Sequence, residues 1–207
     1  MDFINSQFEN FKHTTENLLK ANTELEKKNE DLSKDLKQVK KELEASIKQL
    51  NDLEQYGRCD CIEISGTPQE KNENAEAQII KTGAILDIPV ESKDIQACHR
   101  LGKRHDTPII CKFLNRKTAT AFLAAKKHTK KPFRGEKLGF KDHPECKIYM
   151  NESLTKRNKD LMYNIRMKKQ ENNWKFIWSR NGTMYARKDE NSEFLRINDE
   201  EDIGKMV

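Results

Sequence analysis

Positions spaced alternately three and four residues apart run unbroken from the start of the chain. They are Ile4, Phe8, Phe11, Thr15, Leu18, Asn22, Leu25, Asn29, Leu32, Leu36, Val39, Leu43, Ser46, Leu50 and Leu53. With Phe8 as heptad position a, the seam is mostly apolar, while the positions around it are mostly polar, Lys, Glu, Asp, Gln and Asn prominent among them. No Pro or Gly interrupts the pattern before Gly57. A single helix with so narrow an apolar stripe cannot cover it alone, so residues 1–56 are predicted to form a coiled coil with further copies of the chain. Leu18, Asn22, Leu25, Asn29, Leu32, Leu36, Val39, Leu43 and Leu50 are the expected oligomerisation residues. Asn22 and Asn29 at successive a sites are of the type that fixes register in parallel dimers, and a dimer and a trimer both stay open.

Beyond Tyr56-Gly57 the period changes to two, and Cys61–Gly66 reads as a short strand closed by Gly66 and Pro68. The pattern then predicts a helix from about Asn72 to Leu86 and strands at about Ile95 to Leu101 and Ile109 to Leu114. A second helix, about Lys117 to Lys127, follows Asn115 as its N-cap. The order β-α-β-β-α is that of a ferredoxin-like sandwich of the RNA-recognition-motif type, with the fourth strand expected around Lys137 to Phe140. After a Pro/Gly-punctuated basic stretch, Lys147–Glu152 reads as the start of a new unit. A helix from about Ser153 to Glu171 and a hairpin of Trp174–Trp178 and Thr183–Arg187 around Asn181-Gly182 follow, and Phe194–Ile197 adds a strand. The expected class is α+β: a coiled-coil helix over 1–56, an RRM-like domain over 57–141, and a small α+β domain over 142–207.

Composition sharpens this picture through charge. Apolar and charged residues each make up 35% of the 207 residues, which argues against one large core. The net charge of +5 hides an asymmetry: residues 1–56 hold 9 Lys against 12 Asp or Glu, net −3, and the remainder is net +8. Residues 97–134 carry 11 Lys or Arg against Asp106 alone, and residues 155–188 carry 10 against two acids. The tail from Asp189 is acidic, at net −5. Cations at this density attract phosphates by counterion release, with a steep salt dependence and little sequence preference. Arg104, Arg116, Lys117, Lys130, Lys131, Arg134 and Arg166 are the candidate phosphate contacts from these two runs.

Strand phase adds Arg100 and Lys112. Alternation with His99 and Leu101 sends Arg100 out of the core, and alternation with Ile109, Cys111 and Phe113 does the same for Lys112, so both are expected on the open sheet face. The outward positions Cys61, Glu63, Ile110 and Lys112 lack the exposed aromatics on which RNA recognition motifs stack bases. Trp174, Trp178, Tyr185 and Tyr149 are expected mainly in the core.

Chemistry beyond binding is not indicated. Cys59 and Cys61 form the only close cysteine pair, with no second pair or His-x-x-x-His to complete a zinc site, so no metal is expected. No phosphate-binding loop, nucleophile elbow or zinc-protease motif is present, and a non-enzymatic protein without cofactors is expected. Five cysteines without regular spacing, no signal-peptide layout and no long apolar run suggest a reducing compartment and no membrane association. The cytoplasm is the expected location, with the nucleus second.

Several segments together resemble the first-open-reading-frame proteins of LINE-type (non-LTR) retrotransposons. They are Leu53-Glu54-Gln55-Tyr56-Gly57-Arg58, Ile62-Glu63-Ile64-Ser65-Gly66-Thr67-Pro68, Ile95 with His99-Arg100-Leu101-Gly102-Lys103, Pro108-Ile109-Ile110-Cys111-Lys112-Phe113, and Ile148-Tyr149-Met150-Asn151-Glu152-Ser153-Leu154-Thr155. Baculovirus few-polyhedra-type proteins resemble the same layout. The resemblance implies a multimeric nucleic-acid chaperone whose central and C-terminal domains jointly coat single-stranded RNA, with DNA as a second polyanion, and it adds Lys103, Lys156 and Arg157 to the candidate contacts. The coil is short, and the disordered head of longer relatives is not expected. A coiled-coil adaptor that docks acidic proteins is the competing expectation.

Overall fold

A computed structural model describes residues 2–69, 73–102, 107–128 and 133–207. The protein is α+β and divides into two compact units, residues 1–50 and 51–207. The first unit is helix alone, the body of α1 (Asp2–Tyr56). Its seam stays open to solvent in the single chain, with Leu18, Leu25, Leu32, Leu36, Val39, Leu43 and Leu50 all exposed. Helix α1 ends where expected, with the Gly57 amide closing the last turn on Leu53 O at 3.1 Å.

The second unit holds two modules. In the central one, β1 (Cys61–Ser65), α2 (Ala75–Ile85), β2 (Ile95–Arg100), β3 (Ile109–Phe113) and α3 (Arg116–His128) follow in the predicted order. Asn74 caps α2 by accepting from Ala77 N at 3.0 Å, and Asn115 caps α3 by accepting from Lys117 N at 2.9 Å. A short strand β4 (Phe133–Arg134) and a one-turn helix α4 (Gly135–Leu138) come next, followed by β5 (Lys147–Glu152). The antiparallel sheet has the order β2-β3-β1-β5-β4. Ile62, Ile64, Ile109, Cys111, Phe113, Ile148 and Met150 meet Ile79 of α2 and Phe122 of α3 in one core.

The fourth strand of the sandwich is therefore β5 and not the predicted Lys137–Phe140, which falls on α4 and its exit. Leu138 and Phe140 are apolar because α4 tucks them into the core, and their spacing mimics a strand. The β1–β5 pairing joins residues more than 80 positions apart, a relation that local alternation cannot signal. Lys147–Glu152 thus belongs to the central module, not to the start of the C-terminal one. Gly66 ends β1 at φ +83°, where a Cβ would stand 2.1 Å from Lys147 O, so only glycine lets the two backbones pass.

The C-terminal module comprises α5 (Lys156–Glu171), β6 (Phe176–Arg180), β7 (Thr183–Arg187), β8 (Phe194–Ile197) and α6 (Glu200–Ile203). Thr155 caps α5, its hydroxyl accepting from Asn158 N at 3.2 Å. The Asn181-Gly182 turn has positive φ at both residues, 53° and 77°, as a two-residue hairpin requires. Its core gathers Leu161, Met162 and Ile165 of α5 with Trp174, Met184, Ala186, Ile197 and Met206.

Candidate nucleic-acid interface

The open face of the central sheet is set by register. Cys61 lies opposite Lys112, Glu63 opposite Ile110, and Ala97 opposite Lys112, so these side chains share the face turned away from the helices. Lys112 emerges there as expected, 39% exposed and 3.8 Å from Asp60 Oδ2.

Arg100 does not share that face. A β-bulge between Ile95 and Ala97 inserts Gln96 and reverses the phase of β2, so Cys98 lies opposite Cys111 and Arg100 opposite Ile109, both on the helix side. The Arg100 side chain is 7% exposed. Its Nε and Nη2 each donate to Glu73 at 2.6 Å, Nη1 donates to Thr107 O at 2.6 Å, and Nη2 also reaches Thr67 O and Pro68 O. With its donors consumed inside the fold, Arg100 is a structural residue, and its expected role as a phosphate contact is corrected.

Over β1 the open face is covered by the C-terminal module. Lys159 of α5 donates to both carboxylate oxygens of Glu63 at 2.9 Å, and Ser153 Oγ donates to Glu63 Oε1 at 2.9 Å. Glu63 and Cys61 are accordingly buried. Burial and a hydrogen bond to Asp60 push the Cys61 thiol up to about 12. Burial likewise raises the Cys59 thiol, with Arg116 opposing.

Where the two modules meet, a polar network fixes their relation. Gln55, in the last turn of α1, donates to Ser153 O at 3.0 Å and accepts from Thr155 N at 3.0 Å and from Asn158 Nδ2 at 2.9 Å. Asn158 also donates to Gly182 O at 3.1 Å. Glu152 accepts from the Asn181 and Gly182 amides at 2.8 and 3.1 Å.

Beside this junction lies a cleft of 690 Å³ lined by Arg58, Arg116, Lys117 and Arg180 together with Cys59, Asn115 and Asn181. Among the described residues its one carboxylate is Glu152, already held by the two turn amides. A second depression of 220 Å³ abuts it, sharing Leu123 and Glu152 and adding Lys126, Arg166 and Trp178. The two form one groove between the central and C-terminal modules, with cations on both walls. Arg116, Lys117, Arg166 and Arg180 are exposed; Arg116 stands over the Tyr56 ring at 5.7 Å, and Lys126 donates to Met150 O at 2.6 Å. Arg58 is braced by Glu54 at 2.8 Å and Ser153 Oγ at 3.3 Å.

Of the residues expected from sequence, Arg116, Lys117 and Arg166 converge on this groove. Lys156 and Arg157 are exposed on the first turn of α5, and Arg134 is exposed and paired with Glu145. Lys103, Arg104, Lys130 and Lys131 lie outside the described residues. Arg58, Lys126 and Arg180 are groove residues that sequence reasoning does not single out, although Lys126 and Arg180 fall within the two basic runs. Trp174 is in the core as expected, whereas Tyr149 is 51% exposed on β5, opposite Ser65 on the open face. Among the described residues no group of His, Cys, Asp and Glu is arranged to hold a metal, and no helix is long and apolar enough to cross a membrane.

Comparison with known proteins adds a match over the C-terminal quarter: residues 155–207 fit the family model described as baculovirus FP protein domain 2. The matched segment begins at the Thr155 cap of α5 and takes in the rest of the C-terminal module. No curated protein matches the chain.

Proposed function

We propose that this chain is a self-associating, sequence-tolerant single-stranded RNA-binding protein with strand-annealing activity, built on the plan of the LINE first-open-reading-frame proteins. The observation that carries the reading is the groove. Cations from the central module (Arg58, Arg116, Lys117) and from the C-terminal module (Arg166, Arg180) line one channel, although more than 60 residues separate Lys117 from Arg180. A groove walled by cations, with its lining carboxylate already occupied by backbone amides, favours a polyanion over an acidic side chain. Its occupant is single-stranded because the cations are spread along a channel and not arrayed around a helix or ribbon that enters a duplex groove.

The open seam of α1 is the second support. Self-pairing in parallel buries it, and several grooves tethered together bind one strand with an effective concentration that a single groove lacks.

The test is binding of a labelled oligouridylate by the full chain across a salt series, with sedimentation of the same sample. Four to six phosphate contacts give a slope of roughly −3 to −4 in log K against log salt, at about −0.7 per contact for single strands. Joint replacement Arg116→Glu, Lys117→Glu and Arg180→Glu abolishes binding at moderate salt. A flat salt response, or undiminished binding by the triple variant, refutes the reading; partners that survive nuclease treatment then favour the adaptor.

A further inference from the structure

The three-stranded sheet of the C-terminal module has two faces of unlike chemistry. One set of alternating positions, including Ile177, Met184, Ala186, Leu195 and Ile197, packs into the core with α5 and α6. The other set carries four aromatic rings, Phe176, Trp178, Tyr185 and Phe194, none of them fully buried. Register brings them together: Trp178 lies opposite Tyr185, and Phe176 and Phe194 both lie opposite Arg187. Trp178 and Tyr185 stack with centroids 5.6 Å apart and planes 15° apart, and Tyr185 meets Phe194 edge-on at 5.7 Å.

Arginines are interleaved with the rings on the same face: Arg180, Arg187 and Arg196. No Asp or Glu occurs in any of the three strands. Arg187 is held by the carbonyls of Ser192 and Glu190, and, beside a hydrogen bond from Ser192, its charge helps to lower the neighbouring Asp189 carboxylate. Among the described residues, Arg180 and Arg196 have no carboxylate partner. The face is also continuous with the groove, since Trp178 and Arg180 line the one while standing on the other.

We propose that this outer face is a stacking platform for a single-stranded nucleic acid leaving the groove, with bases on Tyr185, Trp178 and Phe194 and phosphates on Arg180, Arg187 and Arg196. The inference rests on the RNA-binding reading above and adds a second surface to it. Flat rings on an open sheet accept the π-face of any base, and guanidinium groups between them take the phosphates; this is sequence-tolerant recognition of an unstacked strand. A protein partner is less well matched, because the arginines lie between the rings instead of forming a polar rim around them.

The experiment uses the full chain and a twenty-nucleotide oligouridylate, with affinity read across a salt series. Tyr185→Ala with Phe194→Ala, both off the groove lining, weakens binding by about 30-fold or more and leaves the salt slope at the parent value, because stacking releases no counterions. Arg196→Gln instead shallows the slope by about 0.7. Phe194 is 63% exposed, so Phe194→Ala alone keeps the fold intact and carries the test if Tyr185→Ala does not. If the parent binds, the Arg116→Glu and Lys117→Glu variant loses binding, and the face variants bind like the parent, this inference fails while the groove stands. A parent that ignores the oligonucleotide defeats both.

Discussion

Replacing Arg100 by Met tests the difference between a cation that binds phosphate and one that binds the fold. The substitution keeps an unbranched side chain of similar reach but removes every donor, leaving Glu73, whose side chain is 10% exposed, as an unpaired buried charge. It also leaves the carbonyls of Thr107, Thr67 and Pro68 without the guanidinium. Breaking a buried pair from one side costs about 3–5 kcal/mol, a large part of the roughly 5–15 kcal/mol that holds a domain together. Hydrogen exchange of the β2 and β3 amides in the full chain is the assay, because their protection reports opening of the central module and not of α1. Each 1.4 kcal/mol is about a factor of ten, so exchange accelerates by roughly two to three and a half orders of magnitude. Adding Glu73→Gln to Arg100→Met recovers much of the loss, since the buried charge is then gone. RNA affinity of the folded fraction stays at the parent value. Parent-level protection combined with weakened RNA binding would refute the argument and return Arg100 to the phosphate contacts.

Further expectations concern the junction, the thiols and the coil. Gln55→Ala strips partners from the Thr155 amide, the Asn158 side chain and the Ser153 carbonyl, and is expected to cost about 1–3 kcal/mol, read as a lower urea midpoint of the emission from Trp174 and Trp178. Gly182→Ala holds a side chain at φ +77° and drives its Cβ to 2.2 Å from Gln55 Cγ, so its urea midpoint also falls. Because the Cys61 thiol is raised from 9.0 to about 12, the folded chain keeps a proton that the unfolded chain releases. Its contribution is intact below pH 9 and is lost as pH rises from there towards 12, so the parent loses more stability over that window than Cys61→Val does. Asn22→Leu with Asn29→Leu raises the thermal stability of the proposed multimer and broadens its distribution of oligomeric states in sedimentation; an unchanged, monomeric profile would refute self-pairing of α1.

Local periodicity is enough to reveal the long first helix, β1, β3, α3 and the Asn181-Gly182 hairpin, because each is specified by neighbours in sequence. Features that depend on distant partners or on a change of phase escape it. Lys147–Glu152 is legible as a strand, yet its sheet is not, since its neighbour β1 lies far upstream. One extra residue, Gln96, inverts β2 and turns Arg100 from an outward cation into an inward one. The groove is half legible: Arg116, Lys117 and Arg166 follow from charge density, whereas Arg58 and Arg180 enter it only through the docking of the end of α1 and the hairpin turn. Composition alone sends Trp178 and Tyr185 to the core, although the arginines two residues from each, Arg180 and Arg187, mark their side of the sheet as the outer one.

Only Ser153, Leu154 and Thr155 separate β5 from α5, and all three are buried. A hinge requires torsions that can turn without disturbing packed atoms, and this segment offers none. The two walls of the channel therefore cannot breathe by small degrees. Any widening would have to rupture the Gln55, Glu152 and Lys159 contacts together, so under the proposed function a strand in the groove would be held by a latch that is either shut or sprung.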